Sequence, residues 1–269
     1  MNIVLIPVYK INPDENEKIS FIQCLKVLHR HPIALIAPEG FNSNYYELTS
    51  GKFGVTLKIE NFDPHYFNGV NQYNQLLLSE GFYTRFKEYD YMLIYQLDAY
   101  VFSDEFGNWC KLGYDYIGAP IFGDGFSDSM TKNVRIGNGG FSLRKIERFI
   151  TALSYKCNLL SAKEIIIRFA VFRKPWTRIP LLLLMMLGYR NKISYFIKNW
   201  KYNEDDFWSG FLKGTDLEMR VPSFEIALQF SFECFPSKLF NINRKKLPFG
   251  CHAWERYEYE LFWKSYIFK

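Results

Sequence analysis

A strand, a helix and a second strand are packed into the first 38 residues, and this succession restricts the fold more than any other feature of the chain. Ile3 to Val8 is a nearly unbroken apolar run that gives way to Tyr9-Lys10, as a buried strand should. Asn12-Pro13 has the form of a helix N-cap followed by proline at the first helical position. Ile19, Ile22, Leu25 and Leu28 then recur at near-helical spacing, and Ile33 to Ala37 forms a second short apolar run closed by Pro38. Strand, helix and strand at this spacing predict the beginning of a parallel α/β sheet.

The pattern continues. Tyr73 to Phe86 reads as a helix with Tyr73, Leu76, Leu77 and Phe86 inward, and it feeds the apolar run from Tyr91, which ends in a carboxylate at Asp98. Tyr116 to Ile121 reads as a further strand. The cluster Gly137-Asn138-Gly139-Gly140 then leads through Phe141-Ser142-Leu143 into a helix carrying Ile146, Phe149, Ile150 and Leu153. No Gly/Pro/Ser-rich linker interrupts the chain. One α/β domain over residues 1–269, with a helical basic and apolar insertion at about 158–202, is the simplest organisation.

Composition enters as a set of exclusions. With 48% hydrophobic and 23% charged residues the chain can bury a core, which argues against disorder, and repeats of 20–50 residues are absent. Cys24, Cys110, Cys157, Cys234 and Cys251 are odd in number and include no Cys-x-x-Cys pair, so a reducing compartment is expected. The N-terminal apolar run is too short for a secretory core, and Leu181 to Leu187 falls far below the ~20 residues of a spanning helix. Aromatic residues reach 19%, an excess that suits a sugar-binding cleft or a membrane interface equally.

The net charge of +5 is concentrated in one place. Between Glu164 and Glu204 no acidic residue occurs, whereas Arg168, Arg173, Lys174, Arg178, Arg190, Lys192, Lys198 and Lys201 all fall there, beside the run IPLLLLMML and the aromatics Phe169, Phe172, Trp176, Tyr189, Tyr195, Phe196 and Trp200. Basic residues next to apolar and aromatic ones make up an interfacial anchor, and each near an anionic leaflet adds ~1 kcal/mol. The same composition describes a helical hairpin packed on the core with a solvated outer face. A nucleic-acid partner is not expected, since no recognition motif accompanies the charge.

In open α/β sheets ligands gather beyond the carboxyl ends of the strands, where Asp98 is expected. A carboxylate there needs a cation, a donor or water, or else caps the turn. The segment LIYQLDAYVFSDEF resembles the fourth-strand region of GT-A glycosyltransferases, in which an apolar strand runs into Asp-x-Asp. Asp98 matches the last aspartate of that motif, and Gln96 replaces the first, leaving one negative charge fewer. Four more segments follow the family's order: QYNQLLLSEGFY, IGNGGFSLRK, NEDDFWSGF and PFGCHAW. Together with IPVYK and YDYIGAP they look most like a bacterial domain family of unknown function within this superfamily, over residues 3–256.

The resemblance implies a fold, a reaction and roles. The fold is a single GT-A-like, Rossmann-like domain with a mostly parallel central sheet. The reaction is hexosyl transfer from a nucleotide sugar, with uridine diphosphate the expected carrier, to a saccharide acceptor, with inversion at the anomeric carbon. Val8, Tyr9, Asn74, Gln96 and Asp98 are the candidates for nucleotide binding. Asn138, Gly139, Gly140 and Trp208 are those for the sugar or acceptor; the glycines let backbone approach a ligand closely. Asp205 is the candidate base, with Glu204 and Asp206 as neighbours able to take its place, although three acidic residues also suit a helix start. Asp98 and His252 are candidate ligands for Mn²⁺ or Mg²⁺, which would meet the charge developing on the diphosphate. A lone histidine is otherwise commonly structural.

The basic segment extends the expectation to a cytoplasmic enzyme, peripheral on the inner face of a bacterial membrane. There it would extend a lipid-linked saccharide for capsule or lipopolysaccharide. A nucleotidyltransferase would show a glycine-rich basic loop after the first strand, which Val8 to Pro13 does not supply. A non-catalytic carbohydrate-binding or membrane-surface protein would use the aromatics and the charge without needing the acidic segment.

Overall fold

The computed structural model describes residues 1–122, 134–169 and 179–268. Their strands are β1 (Asn2–Pro7), β2 (Ile33–Pro38), β3 (Leu57–Phe62), β4 (Tyr91–Tyr95), β5 (Tyr100–Val101), β6 (Tyr116–Ile117), β7 (Ala119–Phe122), β8 (Val134–Gly137), β9 (Phe141–Lys145), β10 (Ser231–Phe232) and β11 (Gly250–Cys251). Six of them form the main sheet in the order β3-β2-β1-β4-β9-β6. β1 runs parallel to β2 and β4, and β2 parallel to β3. β9 is antiparallel to both of its neighbours. The result is a mixed α/β domain with a mostly parallel central sheet.

Alternation along the central strands divides the core in two. Ile3, Leu5, Ala34, Ile36, Met92 and Ile94 face one apolar cluster, against the helices Val70–Leu77, Glu80–Arg85 and Ile146–Leu153. Val4, Ile6, Ile33, Leu35, Leu93 and Tyr95 face the other, where Phe21, Cys24, Leu25 and Leu28 of the helix Glu15–Leu28 pack. Strands covered on both faces need apolar residues at every position, which is why β1 and β2 read as continuous runs.

Several local expectations are corrected. The first helix is capped by Asp14 and not by Asn12: Asp14 Oδ1 accepts from the Glu17 N–H at 3.0 Å, and Glu17 Oε2 accepts from the Asp14 N–H at 2.9 Å. The helix expected over Tyr73–Phe86 is two helices, broken at Leu78 where Ser79 caps the second and accepts from Phe82 N. The strand expected over Tyr116–Ile121 divides at Gly118, so that β6 joins the main sheet and β7 pairs with β8. Phe141–Lys145 is itself a strand, β9, and not a lead into the following helix.

Within the segment 158–202, helices lie at Ala162–Phe169, Ile179–Met186 and Ile193–Lys198. Ile165, Met185 and Ile193 are buried in the main core, and Asn191 fastens the segment with bonds to Leu160 and Met185. Ile166, Ile167, Leu183, Leu184 and Leu187 stay exposed, Leu187 at 83%. Arg168 is half-buried, lies 3.5 Å from Glu164 and donates to the carbonyls of Phe211 and Lys213, so its charge is partly engaged within the protein. Arg173, Lys174, Arg178, Phe172 and Trp176 lie outside the described residues. No described helix is long and apolar enough to cross a membrane.

Candidate active site

The carboxyl end of β4 is followed by Gln96, Leu97 and Asp98, and that of β1 by Val8 and Tyr9. Because β9 runs antiparallel to β4, with Tyr95 opposite Phe141, the glycine turn before β9 falls at the same edge. The Gln96 N–H donates to the Gly140 carbonyl at 2.8 Å and closes the junction. His252 arrives through a second sheet: β11 pairs with β5, Cys251 opposite Tyr100, and delivers His252 beside Asp98. A cleft of about 760 Å³ opens over this edge, and Val8, Tyr9, Asn74, Gln96, Asp98, Asn138, Gly139, Gly140, Glu204, Asp205 and His252 all line it.

His252 stands among three oxygen groups. Nε2 lies 3.2 Å from both Asp98 Oδ1 and Gln96 Oε1, and Nδ1 lies 3.3 Å from Glu233 Oε1. Burial pulls the imidazole toward neutrality, but Asp98 and Glu233 outweigh it and raise its pKa to about 10. Burial in turn opposes ionisation of Asp98, and His252 overrides it, holding the carboxyl below its ordinary value.

A divalent cation suits this corner. Asp98 Oδ1 is buried, and the group of the protein beside it is His252 Nε2, itself a possible metal ligand. Its 3.2 Å separation from His252 Nε2 is close to that of adjacent ligands on one ion with ligand distances of roughly 2.1 Å. No group of three or more His, Cys, Asp or Glu side chains suited to a metal occurs among the described residues. The chain would therefore supply Asp98 and His252 and leave other positions to ligand oxygens.

The acidic segment is more divided than its sequence suggests. Asp205 Oδ2 accepts from the Asn138 N–H at 2.9 Å and from Arg135 Nη1 at 3.1 Å. Asp206 is turned to Arg135 Nη2, 2.8 Å away, and does not line the cleft; burial raises its pKa and Arg135 opposes the rise. Glu204 is locked in a buried pair with Arg144, whose Nη1 also donates to Tyr83 Oη at 2.8 Å. Of the two alternatives to Asp205, Asp206 is therefore turned away from the cleft, whereas Glu204 lines it while engaged with Arg144. Asn74 caps the segment, accepting from the Glu204 N–H at 3.3 Å.

Trp208 is also corrected. It is fully buried against Phe149 and Phe207 in the main core and takes no part in the cleft wall. Its neighbours fix this: Phe207–Phe211 forms a π-helix whose aromatic residues turn into the core. Asn138 lines the cleft, yet its amide works within the protein. Its Oδ1 accepts from Gly140 N at 2.6 Å and Phe141 N at 3.2 Å, and its Nδ2 donates to Glu233 Oε2 at 2.9 Å. These bonds hold Asn138 at φ 111°, a conformation costly for a residue with a side chain.

The glycines serve the same compactness. A Cβ on Gly139 would lie 2.8 Å from Glu204 Oε1, and one on Gly140 would overlap His252 Nε2. Their bareness admits the protein's own polar side chains, where the sequence pointed to a ligand. Sequence reasoning missed Glu233, Arg135 and Arg256, each of which lines the cleft. Parallel pairing of β10 with β11, Phe232 opposite Cys251, places Glu233 beside His252, a relation visible only once the strands are paired.

A sheet of this order with its site at the carboxyl edge is the GT-A glycosyltransferase fold. Mouse xyloside xylosyltransferase 1, in its apo form, is similar over 94% of this chain and 97% of its own, with a TM-score of 0.50 and 11% identity. The Streptococcus pneumoniae TIGR4 glycosyltransferase GlyE, also apo, is similar over 94% of this chain and 54% of its own, with a TM-score of 0.49 and 11% identity. The galactosyltransferase LgtC in complex with donor and acceptor sugar analogs gives 94%, 86%, 0.45 and 13%. At such identities the likeness is one of fold. The chain belongs to the family described as "Protein of unknown function (DUF5672)", whose model matches residues 56–252. No curated protein matches its sequence.

Proposed function

We propose that this chain is a glycosyltransferase that moves a sugar from a nucleoside diphosphate, with uridine as the expected base, to a saccharide acceptor. The observation that carries the reading is the gathering of Asp98, His252 and Asp205 about one cleft at the carboxyl edge of the sheet. Cleavage of an anomeric C–O bond leaves negative charge on the departing diphosphate, so catalysis needs positive charge where it collects. Mg²⁺ or Mn²⁺ held by Asp98 and His252 would neutralise that charge. Arg256, exposed on the cleft wall, offers a second cation.

Nucleotide binding falls to the ends of β1 and β4, at Val8, Tyr9, Gln96 and Asp98, with Asn74 on the neighbouring helix. Asp205 would take the proton of the attacking acceptor hydroxyl, work worth ~10²–10⁴-fold. Its Oδ2 is held by Asn138 and Arg135, which leaves Oδ1 for the transfer. Attack opposite the leaving group gives inversion.

The acceptor is read as lipid-linked, presented at the inner face of a bacterial membrane during capsule or lipopolysaccharide synthesis. What supports this is the exposed row Leu183, Leu184 and Leu187 beside Arg190, Lys192 and Lys198, apolar and cationic together. Thermal denaturation with uridine diphosphate, with and without Mn²⁺, tests the central reading: stabilisation by the nucleotide, increased by the ion, is the expected result. Indifference to every nucleoside diphosphate would overturn it.

A further inference from the structure

Beyond the residues that would touch a cation or a proton, one carboxylate joins the two ends of the cleft. Glu233 follows β10 directly and His252 follows β11, and the parallel register of Phe232 with Cys251 sets them side by side. The His252 N–H donates to the Phe232 carbonyl at 3.0 Å and holds the two chains together at that point. Each oxygen of Glu233 then has its own partner, His252 Nδ1 at 3.3 Å for Oε1 and Asn138 Nδ2 at 2.9 Å for Oε2. Asn138 continues the line through its backbone N–H to Asp205 Oδ2 at 2.9 Å. The histidine on the Asp98 side and the aspartate on the far side are thus joined by Glu233 and Asn138 in one hydrogen-bonded chain.

We propose that Glu233 is a positioning residue that orients His252 for a divalent cation and, through Asn138, fixes the glycine turn against Asp205. The proposal rests on the metal-assisted reading above. With Nδ1–H donating to a carboxylate, the ring presents Nε2 toward Asp98, and such outer partners typically change metal affinity by roughly 10–100-fold. Asn138 adopts a backbone conformation that its side chain disfavours, so the turn depends on the bonds its amide makes. Both donors facing Glu233 carry hydrogen, and only a group with two acceptor oxygens satisfies them together. Glutamine, with one oxygen and one NH₂, can serve only one.

Calorimetric titration with Mn²⁺ alone, on the full chain, is the test. E233Q conserves shape and keeps the protein folded; its Mn²⁺ affinity is expected to fall roughly tenfold, and that of E233A toward roughly 100-fold. Asn138→Gly tolerates the positive φ and removes the amide. E233A combined with N138G should bind Mn²⁺ no more weakly than E233A alone, the sign of one shared chain. Wild-type Mn²⁺ affinity in both Glu233 variants, or strictly additive losses in the double variant, overturns the proposal while leaving the cation site standing. A wild-type chain that takes up no Mn²⁺, either alone or in the presence of uridine diphosphate, overturns the cation reading and this inference with it.

Discussion

Arg144 grips Glu204 with both arms beneath the glycine turn, Nη2 to Oε1 at 2.6 Å and Nη1 to Oε2 at 3.1 Å. Their side chains are 0% and 1% exposed, so neither charge can turn to water. Above the pair, Tyr116 Oη donates to the Asn138 carbonyl at 2.6 Å. The turn therefore rests on a buried polar layer whose members are mutually satisfied. Removing one partner strands the other: Glu204→Ala should destabilise the fold by ~3–5 kcal/mol, measured by urea denaturation. A loss below about 1 kcal/mol would mean that water enters and solvates Arg144.

Asp205 should behave differently from its neighbours. Asp205→Asn keeps an oxygen for the Asn138 N–H, so nucleotide affinity should survive while turnover of a nucleotide sugar falls by ~10²-fold or more. Asp206→Asn, at a carboxylate that pairs with Arg135 and does not line the cleft, should change the rate only a few-fold. Reversed magnitudes would transfer the base to Asp206.

Removal of the cation or of its carboxylate should have one signature. In the presence of a chelator, and equally in Asp98→Ala, uridine diphosphate should lose the extra thermal stabilisation that Mn²⁺ gives. Full turnover of a nucleotide sugar in chelator would instead assign the reaction to a metal-independent route, with Arg256 and His252 meeting the leaving group.

Without divalent ions, stability should respond to pH through His252. Its pKa is raised from the ordinary 6.5 to about 10 in the folded protein. The folded state thus binds the proton more tightly than the unfolded chain, and the stabilisation is complete below 6.5 and lost as pH climbs through 10. Melting temperatures of wild type and His252→Gln, compared from pH 6 to 10, should converge at the alkaline end. A constant gap would remove the imidazolium from the balance.

For the membrane reading, co-sedimentation with anionic and neutral vesicles is decisive. Binding to anionic vesicles alone, weakened by reversing Arg190, Lys192 and Lys198, is expected. It should fade with salt as the Debye length falls from ~10 Å at 0.1 M to ~3 Å at 1 M. Leu184→Glu with Leu187→Glu should abolish whatever salt leaves behind. Equal indifference to both vesicle types would point to a soluble acceptor.

What the sequence made legible follows from the range of the interactions involved. β1 and β2 announce themselves because burial on both faces demands apolar residues at every position, a property carried within each segment. Asp98 was legible for the same reason, as a charge at the end of such a run. The antiparallel insertion of β9 was not, because nothing in Phe141–Lys145 specifies which neighbour it pairs with or in which direction. Glu233 was invisible for a related reason: its importance arises from strand pairing with a segment 19 residues away. Trp208, a sugar or acceptor candidate through the resemblance alone, is instead turned into the core by the π-helix, a local geometry its sequence does not announce. Asp14 against Asn12 shows the limit at short range, where two capping residues compete and the reciprocal bond with Glu17 decides.

The bareness of Gly140 makes the centre sensitive to addition as well as to deletion. A single methyl group there would need the space of His252 Nε2 and would come within 2.6 Å of Gln96 Oε1. Gly140→Ala could thus disable the corner where the cation would sit while every polar side chain keeps its chemistry. Inactivation by excess volume would separate a variant that misplaces the ring from one that lacks it, a distinction that truncating His252 cannot make.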